Sequence, residues 1–277
     1  MTKSTLSLRL ATSAIMAVAL LGPLTIAGAE DRPTSLAPLG DPPSPPDNPT
    51  TPAKVELGKM LFFDGRLSGN GSMACVACHT PDAGWDFPEK ISLGYPGTTH
   101  WRNSQTIINS AYYSKLFWAG ASKSLEGQAR SAARGGVAGN GEDDMMEAKL
   151  AFVPEYRKRF REVFGDTWPN VRHAYMAIAA FERTLVQTDT PFDKYMRGDN
   201  KALNAAQKRG LALFTGKAGC VQCHSGALLS NEKYYNLGLP PYDGWETDPV
   251  AQITYRFEIY AKGVTEDKYR KLKDDPG

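Results

Sequence analysis

Every cysteine in this chain belongs to one short pattern, and the pattern occurs twice: Cys75-Val-Ala-Cys78-His79 and Cys220-Val-Gln-Cys223-His224. C-x-x-C-H is the attachment sequence for a c-type haem. The two sulfurs are placed to form thioethers with the haem vinyls, and the adjacent imidazole is placed to bind the iron. A redox dithiol or a zinc site also uses paired cysteines, but neither needs a histidine directly after both pairs. The pattern therefore predicts two covalently bound haems. Cys75, Cys78 and His79 hold the first, and Cys220, Cys223 and His224 hold the second. No thiol is left to staple the fold with a disulfide. A chain wrapped around two haems draws part of its core from them, so the expected fold is mainly α: two cytochrome c-like haem domains with long loops.

The N-terminus reads as an export signal. Lys3 and Arg9 precede an apolar run from Leu10 to Leu21, and Ala27-Gly28-Ala29 offers a small-x-small cleavage site. Loss of 1–29 takes the formal charge from +2 to zero, because it removes two cations and no anion. A balanced charge gives no support to a nucleic-acid partner. No second stretch is apolar enough to span a bilayer, so the expected location is periplasmic, with no membrane contact after cleavage.

Residues 33–52 hold eight prolines, which predicts an extended arm over 30–53 with no place in the core. Thr51-Pro52 is a helix start, a capping hydroxyl followed by proline at the first helical position. Asn204 with Gln207 predicts a capping box and a helix leading to the second motif. Between them, helical patterns cover Met145–Phe152, a segment opened by Pro154, and Val171 to Leu185. Gly58-Lys59-Met60-Leu61-Phe62 before Cys75 parallels Gly210-Leu211-Ala212-Leu213-Phe214 before Cys220, so one unit is used twice. The first haem domain is placed at 54–190 and the second at 191–277.

In order along the chain, Leu57-Gly58-Lys59-Met60-Leu61-Phe62-Phe63-Asp64, Arg66-Leu67-Ser68, Arg102-Asn103-Ser104-Gln105-Thr106, Phe117-Trp118, Ser124-Leu125-Glu126, Gln128-Ala129, Ala179-Ala180-Phe181-Glu182-Arg183-Thr184-Leu185 and Pro191-Phe192-Asp193 resemble the bacterial di-haem cytochrome c peroxidases. The related methylamine-utilisation di-haem enzymes share much of this set. The resemblance implies reduction of hydrogen peroxide to water with electrons from a small c-type cytochrome or cupredoxin. It makes the first haem peroxidatic and the second an electron relay. It implies that Trp118 lies between the haems as an electron bridge, and that Gln128 orients peroxide. A carboxylate in the glycine-rich loop 133–144 would move the proton, with Glu142 favoured over Asp144 and Asp143. The bland reading of these acids is that they cap the helix that follows. Asn103 matches a residue that helps bind a calcium ion, and a homodimer is implied. An oxidase acting on a protein or organic substrate, and a non-enzymatic electron-transfer cytochrome, are the alternatives.

Three departures stand out. Tyr95 occupies the place where many relatives carry a histidine that closes the first haem, which predicts a first iron open at rest; His100 is a weaker substitute. Ala119 and Ala121 flank the Trp118 turn where relatives carry charges. The 53 residues after His224 hold no methionine and no further histidine. The second haem therefore takes one of Tyr234, Tyr235, Tyr242, Tyr255 or Tyr260, or the chain is shorter than its relatives at the C-terminus; the shorter chain is the favoured expectation. His173 reads as a packed or solvent-facing residue.

Overall fold

The computed structural model describes residues 32–238. The export segment 1–29 and Tyr242, Tyr255 and Tyr260 lie outside the described residues. Within them the chain forms α1 (Pro52–Phe62), α2 (Leu125–Arg134), α3 (Asp143–Ala151), α4 (Pro154–Phe164), α5 (Val171–Glu182), α6 (Pro191–Met196) and α7 (Ala205–Thr215). Long loops and short 3-10 turns connect them. The sheet among these residues is a two-stranded antiparallel ribbon, β1 (Leu93–Gly94) with β2 (Thr98–Thr99), Leu93 opposite Thr99. The fold is mainly α, as expected. No helix among the described residues is long and apolar enough to cross a membrane.

Local chemistry sets the helix ends. Thr51 accepts the Lys54 N–H at 3.4 Å, and Pro52 supplies a φ suited to the first turn. Asn204 and Gln207 close the expected capping box, each side chain taking the other's backbone N–H, at 2.9 and 2.8 Å. Thr190 and Asp193 form a second such box on α6, which the sequence reading did not single out. α4 stops at Gly165, where φ is +77° and a left-handed residue is needed.

The core is the contact of α1 with α5. Leu57, Leu61, Phe62, Met146, Leu150, Phe160, Ala174 and Ala177 are fully buried there. The approach is close because Gly58 lacks a side chain: a Cβ at Gly58 would lie 1.9 Å from the Ala177 carbonyl oxygen. The helical spacing continues to Leu185, but α5 ends at Glu182. The Leu185 carbonyl instead accepts the Asn109 N–H at 2.9 Å, and Asn109 Oδ1 accepts the Gln187 N–H at 2.8 Å. The long loop thereby takes over backbone groups that another helical turn would have used.

The proline-rich arm departs from expectation. It is extended, with neither helix nor paired strand over Pro42–Pro46, but it is anchored in the protein at three buried points: Leu36, Leu39 and Asn48. Asn48 donates to Glu126 Oε1 at 2.6 Å and to the Met176 carbonyl at 3.0 Å, and accepts from Lys54 Nζ at 3.0 Å. Ser35 and Leu36 meet Gly226, just past the second motif. Proline count predicts backbone shape, and the two leucines and one asparagine between the prolines decide what the arm touches.

Candidate functional site

Each C-x-x-C-H motif forms one tight turn. At the first, the Cys78 and His79 N–H groups both donate to the Cys75 carbonyl, at 3.1 and 3.0 Å. At the second, Cys223 and His224 donate to the Cys220 carbonyl at 3.2 and 2.9 Å. The turn holds two cysteines and a histidine within five residues.

The imidazoles are held alike. His79 Nδ1 pairs with the Trp85 carbonyl at 3.2 Å, and His224 Nδ1 with the Leu229 carbonyl at 3.1 Å. Nδ1 is then the donor, and Nε2 is the nitrogen that can bind a metal. Both acceptor residues have a backbone L-residues seldom adopt: φ is +63° at Trp85 and +53° at Leu229. In each unit the chain turns back through a left-handed residue to offer its carbonyl to the histidine.

The surroundings differ. Phe62, Phe63, Trp85 and Phe181 form an aromatic cluster in which Phe62 lies 5.3 Å from Phe181 and 5.8 Å from Trp85, ring centre to ring centre. Burial pushes His79 below its ordinary pKa, against the pull of the Trp85 and Gln105 carbonyls. The neutral, metal-binding form is favoured. Among the described residues, the helix before His224 buries no side chain, and Leu213 and Leu237 are exposed.

Two cysteines and a histidine whose Nδ1 faces a carbonyl are a donor set that fits a haem at each motif. Burial, with Glu182 adding to it, pushes the Cys75 thiol up to about 12, and burial raises Cys78. At the first motif this works against a redox dithiol, whose nucleophile is the thiolate. None of the four cysteines is in a disulfide, and no cluster of three or more His, Cys, Asp or Glu suited to a metal ion occurs among the described residues.

Trp118 lies half-exposed on the loop between the Ser110–Tyr112 turn and α2. Its indole N–H donates to the Asn103 carbonyl at 2.8 Å, on the segment that follows the first motif. The loop that carries it clasps the segment that follows the second motif. Ser114 binds Glu232 through its N–H and hydroxyl at 2.8 and 2.9 Å, and Lys115 Nζ reaches the Glu232 carbonyl at 2.6 Å. Lys115 also lies over the Tyr234 ring, and a Cβ at Gly120 would meet the Tyr234 hydroxyl at 2.4 Å.

The Asn103 side-chain amide donates to the Phe87 and Glu89 carbonyls at 2.9 and 2.5 Å, which turns its Oδ1 away from them. Gln128 is half-buried on α2, with no side-chain hydrogen bond among the described residues. Glu142 is the exposed N-cap residue of α3, and Asp143 pairs with Arg134 at 2.6 Å. Tyr95 packs against the same glycine-rich loop: its N–H donates to the Val137 carbonyl at 2.9 Å, and its hydroxyl lies against Gly69. His100 stacks on Trp101, and His173 is packed between Asp166, 2.7 Å from Nδ1, and the Phe164 ring.

Residues 52–201 match the family model for di-haem cytochrome c peroxidases. The chain is 58% identical over 244 residues to cytochrome-c peroxidase IdrP1 of Pseudomonas sp. (strain SCT), covering 87% of this chain and 64% of that protein. It is 41% identical over 198 residues to the methylamine utilization protein MauG of Methylorubrum extorquens, covering 71% and 56%. It thus spans less than two thirds of the length of these relatives. Among solved structures it resembles a MauG-like protein associated with microbial copper homeostasis, with TM-score 0.64 and 30% identity over 79% of this chain and 67% of that one. Haem is the cofactor this family is named for. The chain belongs to the di-haem cytochrome c peroxidase family.

Proposed function

We propose that this chain carries two covalently attached c-type haems and reduces hydrogen peroxide to water, with electrons from a small c-type cytochrome or cupredoxin. The observation that carries this reading is the duplicated C-x-x-C-H turn, with each histidine's Nδ1 tied to a backbone carbonyl. Bound at the two motifs, the haems supply one-electron storage and an iron at which peroxide is reduced.

The chain's own residues do the rest. Peroxide takes up two electrons and two protons and leaves as two waters, while the donor delivers one electron at a time. The second unit, 191–277, receives electrons, and Trp118 provides the aromatic step toward the first unit, 54–190. Gln128 orients peroxide through its side-chain amide. Glu142 moves a proton between the peroxide oxygens. Asp143 is engaged by Arg134 and Asp144 accepts the Met145 N–H at 2.8 Å, which favours Glu142 among the three acids. Asn103 offers Oδ1 to a calcium ion. The mature chain acts in the periplasm, without membrane or nucleic acid, as a homodimer.

Peroxide turnover with a reduced small cytochrome tests this directly. Gln128→Ala and Glu142→Ala are each expected to lower kcat by about a hundredfold, in line with loss of a general acid–base or orienting group, with the haem spectra unchanged. Unchanged turnover in both variants would sink the distal assignment. A second reading, oxidation of a protein or organic substrate, is favoured by Tyr95 in the place of a closing histidine; oxidation of such a substrate without turnover of a reduced cytochrome would select it.

A further inference from the structure

The start of the proline-rich arm is pinned at three successive points. The Ser35 carbonyl accepts the Gly226 N–H at 2.8 Å, and Leu36 forms a parallel bridge with Gly226. The Leu39 N–H donates to Asp193 Oδ1 at 3.4 Å, and the Gly40 carbonyl accepts from the Tyr112 hydroxyl at 2.6 Å. Leu36 is 4% exposed and Leu39 9%.

Two of these points lie on 191–238, a stretch that builds little core of its own. Asp193, Tyr195 and Leu203 are its buried residues among the described ones. Two buried leucines arriving from the arm are a large addition to that.

Gly226 belongs to the turn that holds His224. It stands two residues after the imidazole and three before Leu229, whose carbonyl meets His224 Nδ1 at 3.1 Å. Gly226 itself has φ +71°. The two motifs close this turn differently. Each has an inner bond, Trp85 N–H to the Thr80 carbonyl and Ser230 N–H to the Ser225 carbonyl, both at 2.9 Å. At the first motif a local bridge, Thr80 with Asp86, completes the closure. At the second the bridge is Leu36 with Gly226, so the arm supplies the strand that the local chain supplies at the first.

We infer that the arm positions the second haem ligand: Leu36, seated against Gly226, holds the 225–229 turn, and that turn holds the Leu229 carbonyl on His224. Leu36 is thus a positioning residue, and the inference rests on the reading of two haems. A carbonyl on Nδ1 fixes the imidazole plane and raises its basicity. A more basic ligand favours ferric iron, so slackening the turn raises the potential at the second motif.

The test uses the haem-loaded full chain as wild type, Leu36→Ala, Leu36→Met and Asn48→Ala. The readouts are electron paramagnetic resonance of the ferric state, which is sensitive to the imidazole plane, and redox titration of each haem. Leu36→Ala is expected to broaden or split the second haem's signal and raise its potential, or to lose haem at the second motif alone. The first haem is expected to be unchanged. Leu36→Met, of similar size and polarity, is expected to restore the wild-type behaviour. Asn48→Ala, at the other end of the arm, is expected to lower the denaturation midpoint without moving the second haem's signal. An unchanged second haem in Leu36→Ala, or the same change in Asn48→Ala, overturns the inference. A wild-type chain with no haem at the second motif overturns the two-haem reading and this inference with it.

Discussion

The ring of Phe214 lies 6.2 Å from that of His224 at a tilt of 46°, and Phe62 stands to His79 at 6.4 Å and 47°. The helix before each motif therefore presents the same aromatic side chain to the same imidazole. The two pairs differ in what lies behind them. Phe62 is fully buried in the α1–α5 core, while Phe214 is half-buried on a helix with no buried residue. Phe62→Ala is expected to cost about 3–5 kcal/mol of folding stability through the cavity it leaves, read as a lower denaturation midpoint. Phe214→Ala is expected to cost about 1 kcal/mol and to perturb only the second haem's spectrum. Equal losses of stability would show that the second unit is packed as tightly as the first.

The left-handed residues after each motif give a second expectation. Leu229 holds φ +53°, a conformation that costs an L-residue about 1–2 kcal/mol. Leu229→Gly is expected to keep the carbonyl on His224 and leave haem content unchanged. Leu229→Val, with a β-branch that resists positive φ, is expected to reduce haem occupancy at the second motif. Haem content per chain checks both; an unaffected Leu229→Val variant would show that the turn does not position His224.

Glu182 is buried beside Arg183, and burial pushes its carboxyl up to about 8, with Arg183 opposing and Glu126 reinforcing the shift. A raised folded pKa means that the folded state holds the proton where the unfolded chain has released it. Stability is then fully present below the unfolded value, near 4.5, and is lost as pH rises toward 8. Glu182→Gln, which mimics the neutral acid, is expected to flatten that decline and raise Tm at pH 8 by about 3 °C. Thermal melts of both proteins from pH 5 to 8.5 check this. A wild-type Tm that rises across that range contradicts it.

Trp118 ties its own loop to the Asn103 carbonyl, and Ser114 and Lys115 on that loop bind Glu232 in the segment after the second motif. Trp118→Phe removes the bond to the Asn103 carbonyl and keeps an aromatic ring. It is expected to slow electron transfer between the two haems by about tenfold or more, while each haem's own spectrum is retained. Stopped-flow reduction from the donor reads this, and an unchanged rate would show that electrons take another path.

Much of this was legible because it is local chemistry. C-x-x-C-H, the Thr51-Pro52 start and the Asn204–Gln207 box each specify their structure within a few residues, and the structure has all three. The doubled Gly-x-x-x-Phe approach announced the repeat before any contact was known. What escaped depends on partners far along the chain. Trp85 and Leu229 matter through a carbonyl, which any residue has; the only hint is the glycine a short distance before each, Gly84 and Gly226. Asn48 is buried because Glu126, Lys54 and Met176 converge on it from three helices, and no local pattern in a proline-rich stretch foretells that.

The most direct test of the account is the stoichiometry of peroxide turnover by the haem-loaded chain with a reduced small c-type cytochrome. The prediction is catalytic oxidation of two donor molecules for each peroxide consumed, abolished when either His79 or His224 is replaced by glycine. A protein with haem at both motifs that oxidises no donor in the presence of peroxide contradicts it.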